Sequence, residues 1–272
     1  MLPIMLQLYS VRDELESDFD GTLREVAGIG YKYVELALAQ YYGKTAAQFK
    51  ASLDAAGLIA VSAHVPYGDM LADPEGAIGY HTDIGCKFIV IPFLSPEDKP
   101  GGPKYEELKK SIAALGEAAN KKGAALLYHN HEFEFEIFNG KYALDDLYDS
   151  IPANLLQTEI DVCWAKVGGV DPAQYILKYT GRAPVVHLKD FGSAAGETVK
   201  AEYDLIGEEK KEPAGPFPFR SLGQGILDIP GIVKAAEKAG SQWLAVEQDL
   251  PSPGKTPMEC ARDSFNYLKT LQ

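Results

Sequence analysis

The feature that most restricts this chain is a rhythm. Short apolar runs of strand length alternate with helix-length amphipathic segments eight times along the sequence. The runs cover residues 4–10, 33–37, 60–66, 88–94, 125–131, 156–162, 184–189 and 243–248. They are more continuously apolar than half-solvated strands, as parallel strands covered by helices should be. The intervening segments carry helix punctuation. Thr45 with Gln48 forms a capping box, Asp73-Pro74 and Asp171-Pro172 pair an N-cap with an early proline, and Gly30, Gly57, Gly123 and Gly240 stop helices. Eight strand–helix units in 272 residues predict an α/β chain folded as a single (β/α)8 TIM barrel, one domain spanning 1–272. An open doubly wound sheet would place a glycine-rich turn after the first strand, and SVRDELESD has none.

The rhythm breaks once, in a long loop insert over 191–225 between strand seven and helix seven, which contains GEEKKEPAGPFPFR. A loop of that length inside a compact domain is usually functional, so a lid or a homo-oligomer contact is expected there, with Phe217 and Phe219 suiting either.

Composition narrows the partners. A net charge of −13 repels phosphate-rich polymers, which argues against nucleic acid. No stretch of eighteen apolar residues predicts a membrane span, and MLPIMLQLYSVRD lacks the basic and apolar regions of a signal peptide. Cys86, Cys163 and Cys260 are odd in number and widely spaced, which fits reduced, packed thiols in a cytoplasmic protein.

In a barrel the carboxyl ends of the strands carry the site. Gln7, Glu35, His64, the cluster in LLYHNHEFEF, Asp161 in QTEIDVCWA, His187 and Lys189 in PVVHLKDF, and Glu247 in WLAVEQD all fall at such ends. Several carboxylates and a histidine converging on one mouth repel one another unless a cation joins them, so a divalent metal site is expected.

Taken together, LQLYSVRD, YVELA, SAHVP, YHNHEFEF, EIDVCWA, VVHLKDF and VEQD, in this order and spacing, resemble the sugar phosphate isomerase/epimerase family of xylose-isomerase-like barrels. This family includes inosose dehydratases and ketose 3-epimerases. The resemblance spans essentially the whole chain. It implies a metal held by carboxylate, Asp161, His187 and Glu247 from strands five to eight. The ion is expected to be Mn2+, with Zn2+, Mg2+ or Co2+ as alternatives. The family often has Glu at the end of strand five, where this chain has His129; Glu134 is the expected substitute, with Glu132 the fallback. Trp164 stands where the endonuclease branch has a metal-binding histidine, which argues against DNA repair. The implied activity is isomerisation or epimerisation of a sugar or cyclitol, by proton abstraction next to a carbonyl through an enediolate. Glu134 and Glu247 would be the proton carriers. His64, His131, Lys189, Glu35 and Gln7 would contact substrate polar groups, and Trp164 would form an apolar wall. The alternatives are a lyase or dehydratase on a keto-sugar or inosose, and a non-catalytic carbohydrate-binding barrel.

Overall fold

A computed structural model describes residues 2–37, 41–192 and 217–271. Eight parallel strands form a closed barrel: β1 (Ile4–Gln7), β2 (Tyr33–Leu36), β3 (Ile59–His64), β4 (Phe88–Ile91), β5 (Ala125–His129), β6 (Gln157–Asp161), β7 (Val185–Leu188) and β8 (Trp243–Val246). Each strand pairs with its neighbours in sequence, and β1 closes the ring on β8 with Ile4 opposite Leu244. Because side chains alternate between the two faces of a strand, every strand sends one set outward and one inward. Leu6, Val34, Ile89, Leu126, Tyr128, Ile160, Val186 and Leu244 pack with the surrounding helices in the large outer core. Met5, Val61, Phe88, Val90, Leu127, Val185 and Ala245 form a separate inner cluster. The inner positions that follow along the strands are polar: Gln7, Glu35, His64, His129, Glu159, Asp161, His187 and Glu247, all buried. The barrel is thus apolar below and charged above.

The helices begin and end where the sequence punctuation places them. Thr45 and Thr256 make capping boxes with Gln48 and Glu259, and Asp73, Asp171 and Asp228 accept first-turn N–H groups through their side chains. Gly116, within the helix Tyr105–Lys121, permits a close approach, since a Cβ there would stand 2.1 Å from the Leu155 carbonyl oxygen. Gly116→Ala is therefore expected to cost about 1–3 kcal/mol through overpacking against rigid backbone. Thermal denaturation followed by circular dichroism checks it, and an unchanged melting temperature would contradict the close packing.

Two details depart from the sequence reading. The ladder is shorter than most of the apolar runs, because the last residues turn away to build the mouth: Leu8–Val11 is a 3-10 turn, and Val162–Val167 is a short helix capped by Asp161. A hairpin, Ile137–Phe138 with Lys141–Tyr142, lies inside the loop after β5. Its Asn139-Gly140 turn has φ of 52° and 80°, the left-handed pair that a two-residue hairpin favours. Of the 191–225 insert, residues 193–216 lie outside the described residues, and with them most of the expected lid or oligomer contact. The insert's described ends meet in an antiparallel ribbon, Asp190–Phe191 with Phe219–Arg220. The Asp190 carboxylate accepts backbone N–H bonds from Phe191, Gly223, Gly225 and Leu227, closing the insert at its base. No helix among the described residues is long and apolar enough to cross a membrane.

Candidate metal centre

Four of the chain's five histidines are buried among the carboxylates inside the barrel, His129, His131 and His187 at the mouth and His64 below it. His129, Asp161, His187 and Glu247, from β5, β6, β7 and the end of β8, place one ligand atom each within 4.8 Å of the others. All four are buried. The register brings them together: His129 pairs with Glu159 one strand on, and Asp161 lies opposite His187.

Each side chain is braced. Asp161 Oδ1 accepts from the Trp164 N–H at 2.9 Å, capping the helix that follows, while Asp161 Oδ2 is buried with no hydrogen bond. That second oxygen lies 3.5 Å from His129 Nε2 and 3.5 Å from Lys189 Nζ. Asn130 stitches the ends of β5 and β6 together, accepting from Asp161 N at 3.0 Å and donating to its carbonyl at 3.3 Å. His187 Nδ1 lies 3.1 Å from Glu247 Oε2. Lys189 Nζ lies 2.8 Å from Glu247 Oε2 and 2.9 Å from Asp249 Oδ1, beneath the rings of Trp164 and Phe219.

Three of the four side chains are held in the form a cation needs, while His187, raised well above the ordinary imidazole value by Glu159 and Glu35 against the effect of burial, must give up a proton to ligate. Burial alone would raise Asp161 and Glu247, but Lys189 together with the imidazoles of His129 and His187 outweighs it and holds both below the usual carboxylate range. Burial lowers His129, so its imidazole is neutral, the form a metal ligand requires. Both His129 ring nitrogens are buried without a hydrogen bond. Two imidazoles and two carboxylates at one point, with His129 and Asp161 Oδ2 lacking a hydrogen bond among the described residues, are the donor set of a divalent first-row ion, so these residues fit a metal. Asp249, pushed up to about 6 chiefly by burial, stands at the edge of the group.

The expected set held three of these residues, and the structure brings Asp161, His187 and Glu247 together. It does not bring Glu134 to them, nor Glu132. The Glu134 carboxylate follows the outward face of β5, where it accepts from the Tyr128 hydroxyl and, at 2.8 Å, from the His131 N–H. Tyr128 points to the helices because it alternates with the inward His129, so a group bonded to it cannot reach the mouth. His129 fills the strand-five place assigned to Glu134. Through these two bonds Glu134 ties the turn after β5 to the strand. Burial raises its carboxyl to about 8 from an ordinary value of 4.5. Over that window the folded protein keeps a proton the unfolded chain has released, so stability falls as pH rises from about 4.5 to 8. Glu134→Gln is expected to flatten the melting temperature across this range and to leave bound metal unchanged. Parallel pH–melting curves and metal analysis check both.

The expected substrate contacts divide into two levels. His131 and Trp164 flank the mouth with ring centroids 5.8 Å apart, and His131 stacks on Phe133. Trp164 packs with Cys163, Phe191, Phe217 and Phe219 into an aromatic wall, to which the two expected insert phenylalanines both contribute. Lys189 is committed to three carboxylates. Gln7, Glu35 and His64 sit lower, against Glu159 and the far side of His187, rather than at the mouth. Glu159 escaped the sequence reading, although it shares the inward face with Asp161 two residues later.

Residues 23–271 match the xylose isomerase-like TIM barrel family, and the chain belongs to it. Among its relatives is an inosose dehydratase from Geobacillus kaustophilus, 23% identical over 277 residues, covering 93% of this chain and 87% of the relative. An inosose dehydratase from Clostridium botulinum is 24% identical over 278 residues, covering 93% and 90%. A sugar phosphate isomerase/epimerase structure from Parabacteroides distasonis superposes with a TM-score of 0.77 at 23% identity, covering 98% of this chain and 93% of that one. A D-allulose 3-epimerase from Methylomonas sp. gives a TM-score of 0.67 at 12% identity, covering 100% and 98%. At these identities the structural likeness establishes the fold.

Proposed function

We propose that this protein is a divalent-metal-dependent enzyme that moves a proton next to the carbonyl of a small sugar or cyclitol, yielding an isomer or epimer. The observation that carries this reading is the convergence of His129, Asp161, His187 and Glu247 beside an aromatic wall. These four residues would hold a divalent ion, which when bound would supply Lewis acidity to a carbonyl oxygen and so acidify the adjacent C–H. Glu247, kept ionised by Lys189, takes the proton. His131 takes the place on the other side that had been given to Glu134. Burial keeps it neutral, and its Nδ1 has no hydrogen-bond partner among the described residues, so it can serve a substrate hydroxyl or carry the returning proton. Trp164 and its neighbours form the apolar surface for the C–H face of the ring and exclude water. Delivery of the proton to the opposite face of the same carbon gives an epimer, and delivery to the neighbouring carbon gives an isomer. The acidic surface charge, the absence of a spanning helix among the described residues, and three buried free cysteines support a cytoplasmic small-molecule role over a nucleic-acid one.

A second reading is dehydration, in which the abstracted proton leaves with a β-hydroxyl as water. It is favoured by the names of the sequence relatives above, and it uses the same residues. The test is NMR in D2O with EDTA-stripped and Mn2+-reloaded protein, against a panel of keto-sugars and an inosose. Solvent deuterium entering the substrate with no loss of mass supports isomerisation or epimerisation, and loss of water supports the second reading. No exchange in any loaded sample would overturn both.

A further inference from the structure

Beneath the mouth lies a second convergence. Glu35, His64, Glu159 and His187 also place one ligand atom each within 4.8 Å of the others, all buried. We propose that this lower group is a second metal site, for a four-coordinate ion such as Zn2+, with the imidazole of His187 shared between the two levels.

The distances carry the argument. His64 Nε2 stands 3.3 Å from Glu35 Oε2 and 3.4 Å from Glu159 Oε1. Donor atoms bonded to a tetrahedral ion at about 2.0–2.1 Å stand about 3.3 Å apart, so both separations equal an edge of that tetrahedron. His187 Nε2 faces the same point, 2.6 Å from Glu35 Oε2 and in contact with Glu159 Oε1; these are hydrogen-bond separations, shorter than a tetrahedral edge, and they must open when an ion takes the place of the Nε2 proton. Four donors, two nitrogens and two oxygens, therefore face one point.

The surroundings behave as a metal site's do. Gln7 Nε2 donates to Glu35 Oε2 at 2.8 Å, and Gln7 Oε1 is fixed in turn by the Tyr9 N–H, the outer bracing that orients a ligand. Glu35 Oε1 and Glu159 Oε2 are buried with no hydrogen bond. Charge points the same way. The two levels bury Glu35, Glu159, Asp161, Glu247 and Asp249 against one lysine, Lys189, a net of four negative charges before the imidazoles are counted. Against the lowering effect of burial, Glu159 and Glu35 raise His187 well above the ordinary imidazole value, so without an ion that ring's protonation answers part of the excess. A divalent ion at each level, with His187 shared as an imidazolate, leaves one negative charge. Loading the lower site releases to solvent the proton that Nε2 otherwise holds between Glu35 and Glu159. The sharing is built into the ring's placement, because Nδ1 faces Glu247 above while Nε2 faces Glu35 and Glu159 below.

The full-length protein, stripped with EDTA, reloaded with Co2+ and dialysed, tests this by ion count and by anomalous diffraction at the cobalt edge. Two ions per chain are expected, with one peak on each side of the His187 ring. Glu159→Gln, nearly isosteric and verified as folded by its melting curve, should halve the count and remove the lower peak. His129→Ala should weaken only the upper peak. A single ion that survives Glu159→Gln would overturn the lower site and leave the proposed function intact. A single ion lost with Glu159→Gln but kept in His129→Ala would uphold the lower site and overturn the upper one. No ion in the wild-type protein would overturn both.

Discussion

Glu247→Gln is expected to lower turnover by about 10²- to 10⁴-fold while the protein stays folded. The carboxylate lies 2.8 Å from Lys189 Nζ and 3.1 Å from His187 Nδ1 and ends the eighth strand at the mouth. The amide keeps the shape and one ligand oxygen but cannot accept a proton. The loss should fall on kcat more than on KM, because the missing step is proton transfer rather than binding. Deuterium wash-in should fall in parallel. A folded, metal-loaded Glu247→Gln protein with full exchange would remove Glu247 from the chemistry.

The second large effect is on stability. Lys189 is a fully buried ammonium that answers Glu247, Asp249 and Asp161 at once. Lys189→Met keeps much of the aliphatic stem beneath Trp164 and removes the charge, leaving three carboxylates facing one another without a counter-ion. Breaking a buried ion pair in this way costs about 3–5 kcal/mol. For a chain of this size that lowers the melting temperature by about 10 °C. Metal-free protein should show the full drop, and added Mn2+ should recover part of it, because a bound cation takes over the neutralisation. Calorimetry with and without the ion measures both. An unchanged metal-free melting temperature would mean that the three carboxylates do not depend on the lysine.

The barrel was legible because its signals are local and repeated: a capping box at Thr45, proline after Asp73 and Asp171, and eight apolar runs. The hairpin at Asn139-Gly140 is equally local, but its strands are only two residues long on each side, too short to show an alternating pattern. The site was only partly legible, and the errors share one cause. Asp161, His187 and Glu247 are strand-end residues on the inward face, so counting along the strand finds them. His129 satisfies the same rule and would have been chosen by parity alone. Preference for a carboxylate moved the expectation to Glu134, whose direction is set by Tyr128 on the opposite face. Glu159 was passed over because a charge two residues before a strand end reads as misplaced, until a second layer of groups inside the barrel gives it partners. Which side chains sit at the mouth and which sit one layer below depends on strand stagger, and stagger is not written in any single segment.

The clamp made by Asp190 bears on how this scaffold can change. One carboxylate gathers four amides from both feet of the insert, so the chain leaves the seventh strand and returns to the barrel at nearly the same spot. Whatever is spliced between those feet transmits little strain to His187 and Lys189 a few residues upstream. The clamp thus fixes both feet of the insert beside His187 and Lys189 through contacts that do not involve what lies between them.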